Sequence, residues 1–323
     1  GIYVVPMMVF LYNEDKGGIF VKVLVIGGSY FLGRVLTMSL SKQWDMTLVN
    51  RGHYSMKDYG VLEYILNRHD LDAWQKLPKE DYDAVIDLCA YQKGDIQTVI
   101  QSFPGQIRHY ILISTVDVYQ RQTGLNKDEQ HPLETRQFEG ETGAYILGKV
   151  QLEQELQSLS KEYHIPYTIL RPGNIYGPFN YAPRESVLIE RAVKGWPLFS
   201  IKDAQCTFQL VYVKDVVSAI EKVVEKKAYN TIYNVINDEQ VTYSVMNEIL
   251  KTCQSDVSIE EHSLVEAIEQ QYPLPYPIFQ EEMESYNGQK IVQELGLSYT
   301  PLNVGLSKTY QAFYPVFSQN EKR

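Results

Sequence analysis

Tyr145 and Lys149 stand four residues apart in Tyr145-Ile-Leu-Gly-Lys149. On a helix this spacing puts both side chains on one face. An ammonium beside a phenol favours the phenolate and lowers its pKa towards neutral pH. Such a tyrosine can exchange a proton with a substrate hydroxyl or carbonyl while hydride moves. The chain holds 25 tyrosines, so a Tyr-x-x-x-Lys pair also arises by chance and needs support from its surroundings. Two stretches give that support. Ser114-Thr115-Val-Asp-Val118-Tyr119 closes the strand-like run Tyr110-Ile-Leu-Ile-Ser114. Hydroxyls at the carboxyl end of a strand can hold a reacting oxygen, or simply cap the strand. Val21-Lys-Val-Leu-Val-Ile-Gly27-Gly28-Ser29-Tyr30-Phe31-Leu32-Gly33 reads as a buried strand, a glycine-rich turn and a helix start. Its backbone can close on a pyrophosphate, and the helix end offers N–H groups and a positive dipole.

The elements that must position these groups alternate along the chain. After the first strand, the pattern predicts a helix over Arg34–Lys42, strands over Asp45–Val49 and Asp83–Cys89, a helix over Gly94–Phe103 and a strand at Tyr110–Ser114. A polar segment, Gln120 to Gly143, precedes a long helix over Tyr145–Tyr163 and a strand at Tyr167–Leu170. This is the pattern of an α/β protein with a Rossmann-type, doubly wound parallel sheet. After Gly177 the pattern loosens into a smaller mixed part. Helices are expected at Arg184–Lys194, Asp215–Lys226, Thr242–Leu250 and Gly288–Leu295, and strands at Phe208–Val213 and Thr231–Ile236. The expected division is a cofactor-binding domain over 21–176 and a mainly substrate-binding part over 177–323, with strands returning to the main sheet.

Residues 1–20 are expected to be a non-native or unstructured leader. Lys16-Gly-Gly-Ile-Phe-Val21 can be back-translated to a ribosome-binding sequence ahead of a GTG start codon, which would put the native start at Val21. The alternative is a genuine extension.

Composition narrows the classes. The 323 residues are 44% hydrophobic, enough for a sizeable core, and the net charge of −10 disfavours nucleic acid as the main partner. Cys89, Cys206 and Cys253 are odd in number and widely spaced, so neither disulfides nor zinc are expected. The six histidines form no ligand pattern, and no metal is expected. No apolar run reaches membrane-spanning length, and a small-molecule enzyme of the cytoplasm fits.

Taken together, the loop, the strand-end Ser114-Thr115, Tyr145 with Lys149, and Leu170-Arg-Pro-Gly-Asn-Ile-Tyr-Gly-Pro178 occur in the order found in extended short-chain dehydrogenases/reductases. From Val21 to about Tyr314 the chain resembles the NAD-dependent epimerase/dehydratase proteins that act on nucleotide sugars. Gln209-Leu-Val-Tyr-Val-Lys-Asp215 and Glu294-Leu-Gly-Leu-Ser-Tyr-Thr-Pro-Leu302 resemble later segments of the same proteins. The resemblance implies that Tyr145 is the acid/base, Lys149 its tuning residue and ribose ligand, and Thr115 the third catalytic hydroxyl. It implies a cofactor site of Gly27, Gly28, Ser29, Tyr30, Phe31, Leu32, Gly33, Asn50, Arg51 and Asp70, continued by Leu88, Cys89, Ala90, Ser114, Lys149 and Pro172. Asp70 would lie near the adenine. Cys89 reads as packed rather than reactive. Asn174 would contact a substrate phosphate, and a homodimer through Gly94–Phe103 and Tyr145–Tyr163 is implied; Arg184 is set on the substrate by its place in the expected substrate part.

Two departures sharpen this picture. Tyr30 replaces a loop glycine, and Asn50-Arg51 replaces the acidic residue expected after the second strand. Arginine there suits a 2′-phosphate, so the cofactor is NAD(P) with NADP favoured over NAD. The same residues resemble an atypical branch that includes the chloroplast stem-loop RNA-binding proteins. An RNA-binding or cofactor-sensing protein with little catalysis is therefore the alternative to an epimerase, dehydratase or reductase.

Overall fold

A run of β-branched residues forms the centre of the sheet. In the computed structural model, which describes residues 20–204 and 206–319, β1 (Lys22–Ile26) pairs in parallel with β2 (Asp45–Asn50) and β4 (Ala84–Asp87). The leader expected over 1–20 lies outside the described residues, except for Phe20. β3 (Leu62–Ile65) pairs outside β2, β5 (Tyr110–Ile113) outside β4, and β7 (Tyr167–Pro172) outside β5, all in parallel. With β11 (Thr231–Val235) at the far edge, the order is β11-β7-β5-β4-β1-β2-β3. The chain runs outward from β1 through β2 and β3, then restarts at β4 on the other side. Ligands of such sheets bind beyond the carboxyl ends of the strands at this reversal.

Both faces of the sheet are covered. Leu24, Ile26, Val85, Leu112 and Ile169 join one buried cluster with Trp74, Ile96, Val99, Leu152 and Leu156 from helices. The intervening Val23, Val25, Ala84, Ile86, Ile111 and Leu170 have no exposed surface. Burial on both faces explains why these strands read as unbroken apolar runs. The helices of this unit include α1 (Leu32–Leu40), α2 (Leu71–Gln75), α3 (Asp95–Ser102), α4 (Gly140–Tyr163) and most of α6 (Val213–Glu225). Neither β3 nor α2 is expected from sequence. β3 is four residues long with only Tyr64 buried, too little to set a pattern.

Contacts divide the chain into two compact units. The first comprises residues up to Gln120, His131–Pro172 and Val217–Tyr233; the second comprises Arg121–Gln130, Gly173–Val216 and the residues from Asn234. The second unit holds three short parallel pairs: β6 (Asn126–Lys127) with β13 (Ser285–Tyr286), β8 (Asn174–Tyr176) with β10 (Leu210–Tyr212), and β9 (Leu198–Ile201) with β12 (Ile259–His262). Its helices are α5 (Glu185–Val193), α7 (Tyr243–Cys253), α8 (Leu264–Glu269), α9 (Gln289–Leu295) and α10 (Leu302–Ser318). α10, which packs with α5 and α7, lies beyond the last helix expected from sequence. Among the described residues, no helix is long and apolar enough to cross a membrane.

Candidate functional site

The glycine-rich turn joins β1 to α1 as its residues require. Gly27 takes a φ of +93°, and its N–H donates to the Val49 carbonyl at 2.8 Å. A Cβ on Gly33 would stand 2.4 Å from the Gly27 carbonyl oxygen and 2.6 Å from Gly28 Cα, so only glycine lets the helix approach this closely. The Thr37 hydroxyl bonds the Gly33 carbonyl at 2.8 Å and fixes the first helical turn. No side chain caps α1, whose N-cap residue is Phe31, and no acidic residue sits in its first turn. An uncapped, carboxylate-free helix end suits an anionic ligand. Tyr30 stands 49% exposed, so the ring that replaces a glycine is turned outward. Ser29 and Leu32 are buried. The Gly33→Ala variant is expected to lose about 1–3 kcal/mol of stability through overpacking. The measurement is a urea titration.

The three residues expected to do chemistry meet at the end of β5. Thr115 follows the strand with extended backbone, and its hydroxyl bonds both the Asp117 N–H, at 3.1 Å, and the Tyr145 hydroxyl. α4 begins at Gly140, earlier than expected, so Tyr145 and Lys149 lie one turn apart well inside it. The Lys149 ammonium is buried and donates to the carbonyls of Ala90 at 2.8 Å and Ile113 at 3.1 Å, with its nitrogen 5.9 Å from the Tyr145 ring centre. Burial outweighs the nearby Asp87, Cys89 and Glu153 and brings the Lys149 pKa down to about 8.

The phenol departs from the expected lowered pKa. Although 38% of Tyr145 is exposed, burial of its hydroxyl and the Asp117 carboxylate push its pKa up to about 12, against the Thr115 hydrogen bond. Lys149 does not drive it down, because that ammonium is turned to the two backbone carbonyls. Tyr145 is thus a proton carrier at neutral pH.

Ser114 and Thr115 separate as neighbours on an extended strand must. Ser114 is buried and donates to Glu153 at 2.6 Å, beside the Glu153–Arg171 ion pair. Its hydroxyl serves the buried network, and Thr115 alone of the two reaches Tyr145.

The carboxyl ends of β2, β4 and β7 hold the remaining expected cofactor residues other than Asp70. Leu88 continues β4, bonding its N–H to the Ile26 carbonyl at 3.0 Å. Cys89 abuts Gly27, where an added Cβ would meet its sulfur at 3.1 Å. Burial, with Asp87, raises its pKa to about 11, which leaves an unreactive thiol. Ala90 is fully buried, and Pro172 is buried at the end of β7. Asn50 is 8% exposed; its Oδ1 accepts from the Gly52 N–H at 2.7 Å, while Nδ2 has no partner. Arg51 beside it is exposed.

Asp70 caps α2, accepting from the Ala73 N–H at 3.2 Å. The buried charges near it are Arg68 and Asp87, which sequence reasoning missed. They pair through two bonds of 2.7 and 3.0 Å, and the Tyr110 hydroxyl donates to Asp87 at 2.5 Å. In the second unit, Asn174 is exposed at the start of β8, and Arg184 is exposed as the residue before α5. Among the described residues, no group of three His, Cys, Asp or Glu side chains could hold a metal.

Residues 96–236 match the model of the NAD dependent epimerase/dehydratase family. The match contains Thr115, Tyr145 and Lys149 and begins beyond the glycine-rich turn and Asn50-Arg51, where the chain departs from the usual pattern. The chain is 26% identical over 276 residues to the chloroplast stem-loop binding protein of 41 kDa b of Arabidopsis thaliana, covering 78% of this chain and 69% of that protein. It is 24% identical to a dTDP-D-glucose 4,6-dehydratase of Dictyostelium discoideum, covering 71% of this chain and 61% of that enzyme. Its fold is shared with the UDP-glucose 4-epimerase of Thermotoga maritima, solved with UDP-glucose, at a TM-score of 0.73 and 18% identity over 92% of this chain and 99% of that one. A UDP-glucuronic acid 4-epimerase of Bacillus cereus, solved with NAD, gives a TM-score of 0.70 and 19% identity over 92% of this chain and 100% of that one.

Proposed function

We propose, from the match of residues 96–236 to the model of the NAD dependent epimerase/dehydratase family, that the chain is an NAD(P)-dependent enzyme acting on a nucleotide sugar or a related hydroxyl or keto substrate. The observation that carries the reading is the meeting of Thr115, Tyr145 and Lys149 at the end of β5, beside the sheet's reversal point.

The residues present fit a dinucleotide. The closely packed turn at Gly33 and the uncapped start of α1 suit a pyrophosphate. When bound, the nicotinamide would return hydride from its C4 to a substrate carbonyl carbon. Tyr145 carries its proton at neutral pH and delivers it from its hydroxyl to the substrate oxygen as negative charge develops there. Thr115 holds that hydroxyl in place. Lys149 supplies a fixed positive charge beneath it, which fades as pH rises through about 8.

The finer reading is NADP. A carboxylate would accept from the ribose hydroxyls of NAD; here Asn50 offers a buried, unpartnered N–H donor and Arg51 an exposed guanidinium. Both suit a phosphate. The Arg51→Asp variant is therefore expected to move the NADP+/NAD+ affinity ratio by about tenfold or more towards NAD+. An unmoved ratio in fluorescence titrations removes Arg51 from the cofactor site. Native mass spectrometry of the purified protein tests the reading itself: a retained NAD(P), with or without a sugar nucleotide, supports it. Failure to bind either dinucleotide at millimolar concentration overturns it.

The stem-loop binding relative supports a second reading, an RNA-binding protein on this fold. The net charge of −10 and the assembled Thr115–Tyr145–Lys149 site weigh against it. Tight RNA binding with a steep salt dependence would reinstate it.

A further inference from the structure

The loop after β4 contributes a residue that carries no local sequence signal. Tyr91 lies over the Lys149 ammonium with its ring centre 5.1 Å from the nitrogen, while the Tyr145 ring stands 5.9 Å away. The cation thus has one aromatic ring from a loop and another from its own helix, in addition to the carbonyls of Ala90 and Ile113. Two carbonyls occupy two of the three ammonium hydrogens and leave one for a ligand or for the Tyr145 hydroxyl.

The main chain of Tyr91 is clamped from both sides. Its N–H donates to the Asp95 carboxylate at 2.9 Å, and the Gln92 N–H bonds the same oxygen at 3.2 Å. Its carbonyl lies against α4 at Gly148, where a Cβ would come within 2.2 Å of the oxygen, so glycine is what lets the helix and the loop touch. Yet the residue is 56% exposed. The residue thus combines a held backbone with a half-exposed side chain whose ring lies against the Lys149 ammonium.

We propose that Tyr91 is a positioning residue for Lys149: the π face of its ring holds the ammonium charged and aimed at the ligand side of the site. The proposal rests on the reading of Lys149 as part of a cofactor site. A cation over an aromatic face is stabilised by the ring's quadrupole, most strongly where water is excluded. The other groups acting on Lys149 pull both ways. Asp87 at the end of β4, Cys89 after it and Glu153 on α4 favour the charge, whereas Arg68 beyond β3 and burial oppose it. The balance leaves the ammonium titrating at about pH 8, so a small change in the Tyr91 contribution alters the charged fraction at neutral to mildly alkaline pH.

The test compares Tyr91→Leu with Tyr91→Phe in the full chain. Leucine keeps an apolar cover and loses the π face; phenylalanine keeps both and loses only the hydroxyl. Competitive acetylation across a pH series, read by peptide mass spectrometry, gives the Lys149 pKa without any cofactor. The expected result is a fall of about half a unit or more in Tyr91→Leu and no shift in Tyr91→Phe. NADP+ titrations over the same pH series should show affinity failing at correspondingly lower pH in Tyr91→Leu only. Equal Lys149 pKa values in the two variants and the parent would overturn the proposal, because a merely covering ring is replaced by leucine without consequence. A labelling shift without NAD(P) binding in any variant keeps the Tyr91–Lys149 coupling and removes the cofactor reading instead. A variant with altered circular dichroism is replaced by Tyr91→Met, with the same expectation as for leucine.

Discussion

Tyr145→Phe is expected to lower turnover about 10²–10⁴-fold while NADP+ affinity stays within about twofold of the parent. The substitution removes one oxygen from a ring that is 38% exposed, so packing is barely disturbed. What it removes is the proton held at a pKa of about 12, on an oxygen that is hydrogen-bonded to Thr115. A loss confined to transition-state proton transfer appears in kcat, with KM nearly unchanged. The measurement is turnover of a panel of UDP- and dTDP-hexoses, with products identified by mass spectrometry and cofactor affinity followed by fluorescence. The pH profile of the parent adds a second check. Lys149, at about 8, should produce the first alkaline decline, well before Tyr145 itself ionises. Undiminished turnover in Tyr145→Phe would transfer proton delivery to another group and leave Tyr145 as a wall of the site.

The cluster of Thr115, Tyr145 and Lys149 was legible because each member sits on a feature with its own signal. β1 announces itself by the apolar run Val23–Ile26, α4 by Leu152, Leu156 and Leu159 at four- and three-residue intervals, and Thr115 by its place at a strand end. The choice between Ser114 and Thr115 was not legible from spacing and rested on the family resemblance. Successive residues of a strand point to opposite faces, and which face holds Glu153 depends on how α4 packs. The direction of the Tyr145 pKa shift was misread for a similar reason. Spacing along a helix reports that Lys149 is near, but not that the carbonyls of Ala90 and Ile113, from two other segments, claim its ammonium. Asp70 carried the right residue type for a ligand and the right position for a helix cap, and its bond to the Ala73 N–H shows the cap. α10 was legible and was not read: Leu302, Leu306, Tyr310 and Phe313 recur at three- and four-residue intervals and are buried together. Arg68 and Asp87 are nineteen residues apart on strand ends separated in the sheet by β2 and β1. No local pattern could pair them.

That pair underlies the largest stability effect expected in the molecule. Asp87 has no exposed surface, and it accepts from Arg68 through two bonds and from the Tyr110 hydroxyl. Asp87→Ala would leave a guanidinium buried without its counter-charge and a phenol without its acceptor. Breaking a buried pair from one side costs about 3–5 kcal/mol, because the surviving charge keeps its desolvation penalty. The expected result is a loss of that size in urea unfolding at neutral pH. Replacing both partners, as in Arg68→Met with Asp87→Leu, should recover most of it, since no unpaired charge remains. The pH dependence has a defined direction. Arg68, with the Tyr110 and Cys89 hydrogen bonds, holds the Asp87 pKa below its ordinary value despite complete burial. The unfolded chain therefore binds this proton first as pH falls. The contribution of the pair is complete above the unfolded pKa of about 4 and is lost as pH drops through the lower folded value. The gap between parent and Asp87→Ala should accordingly be constant near neutrality and narrow in acid. The same variant should weaken NADP+ binding. Arg68 bonds the Asp95 carbonyl at 2.9 Å and contacts the Cys89 sulfur, which lies against Gly27, so the ion pair braces the loops after β1 and β4. If the double variant recovers stability but not affinity, the pair's role at the site is to hold those loops rather than to hold the fold.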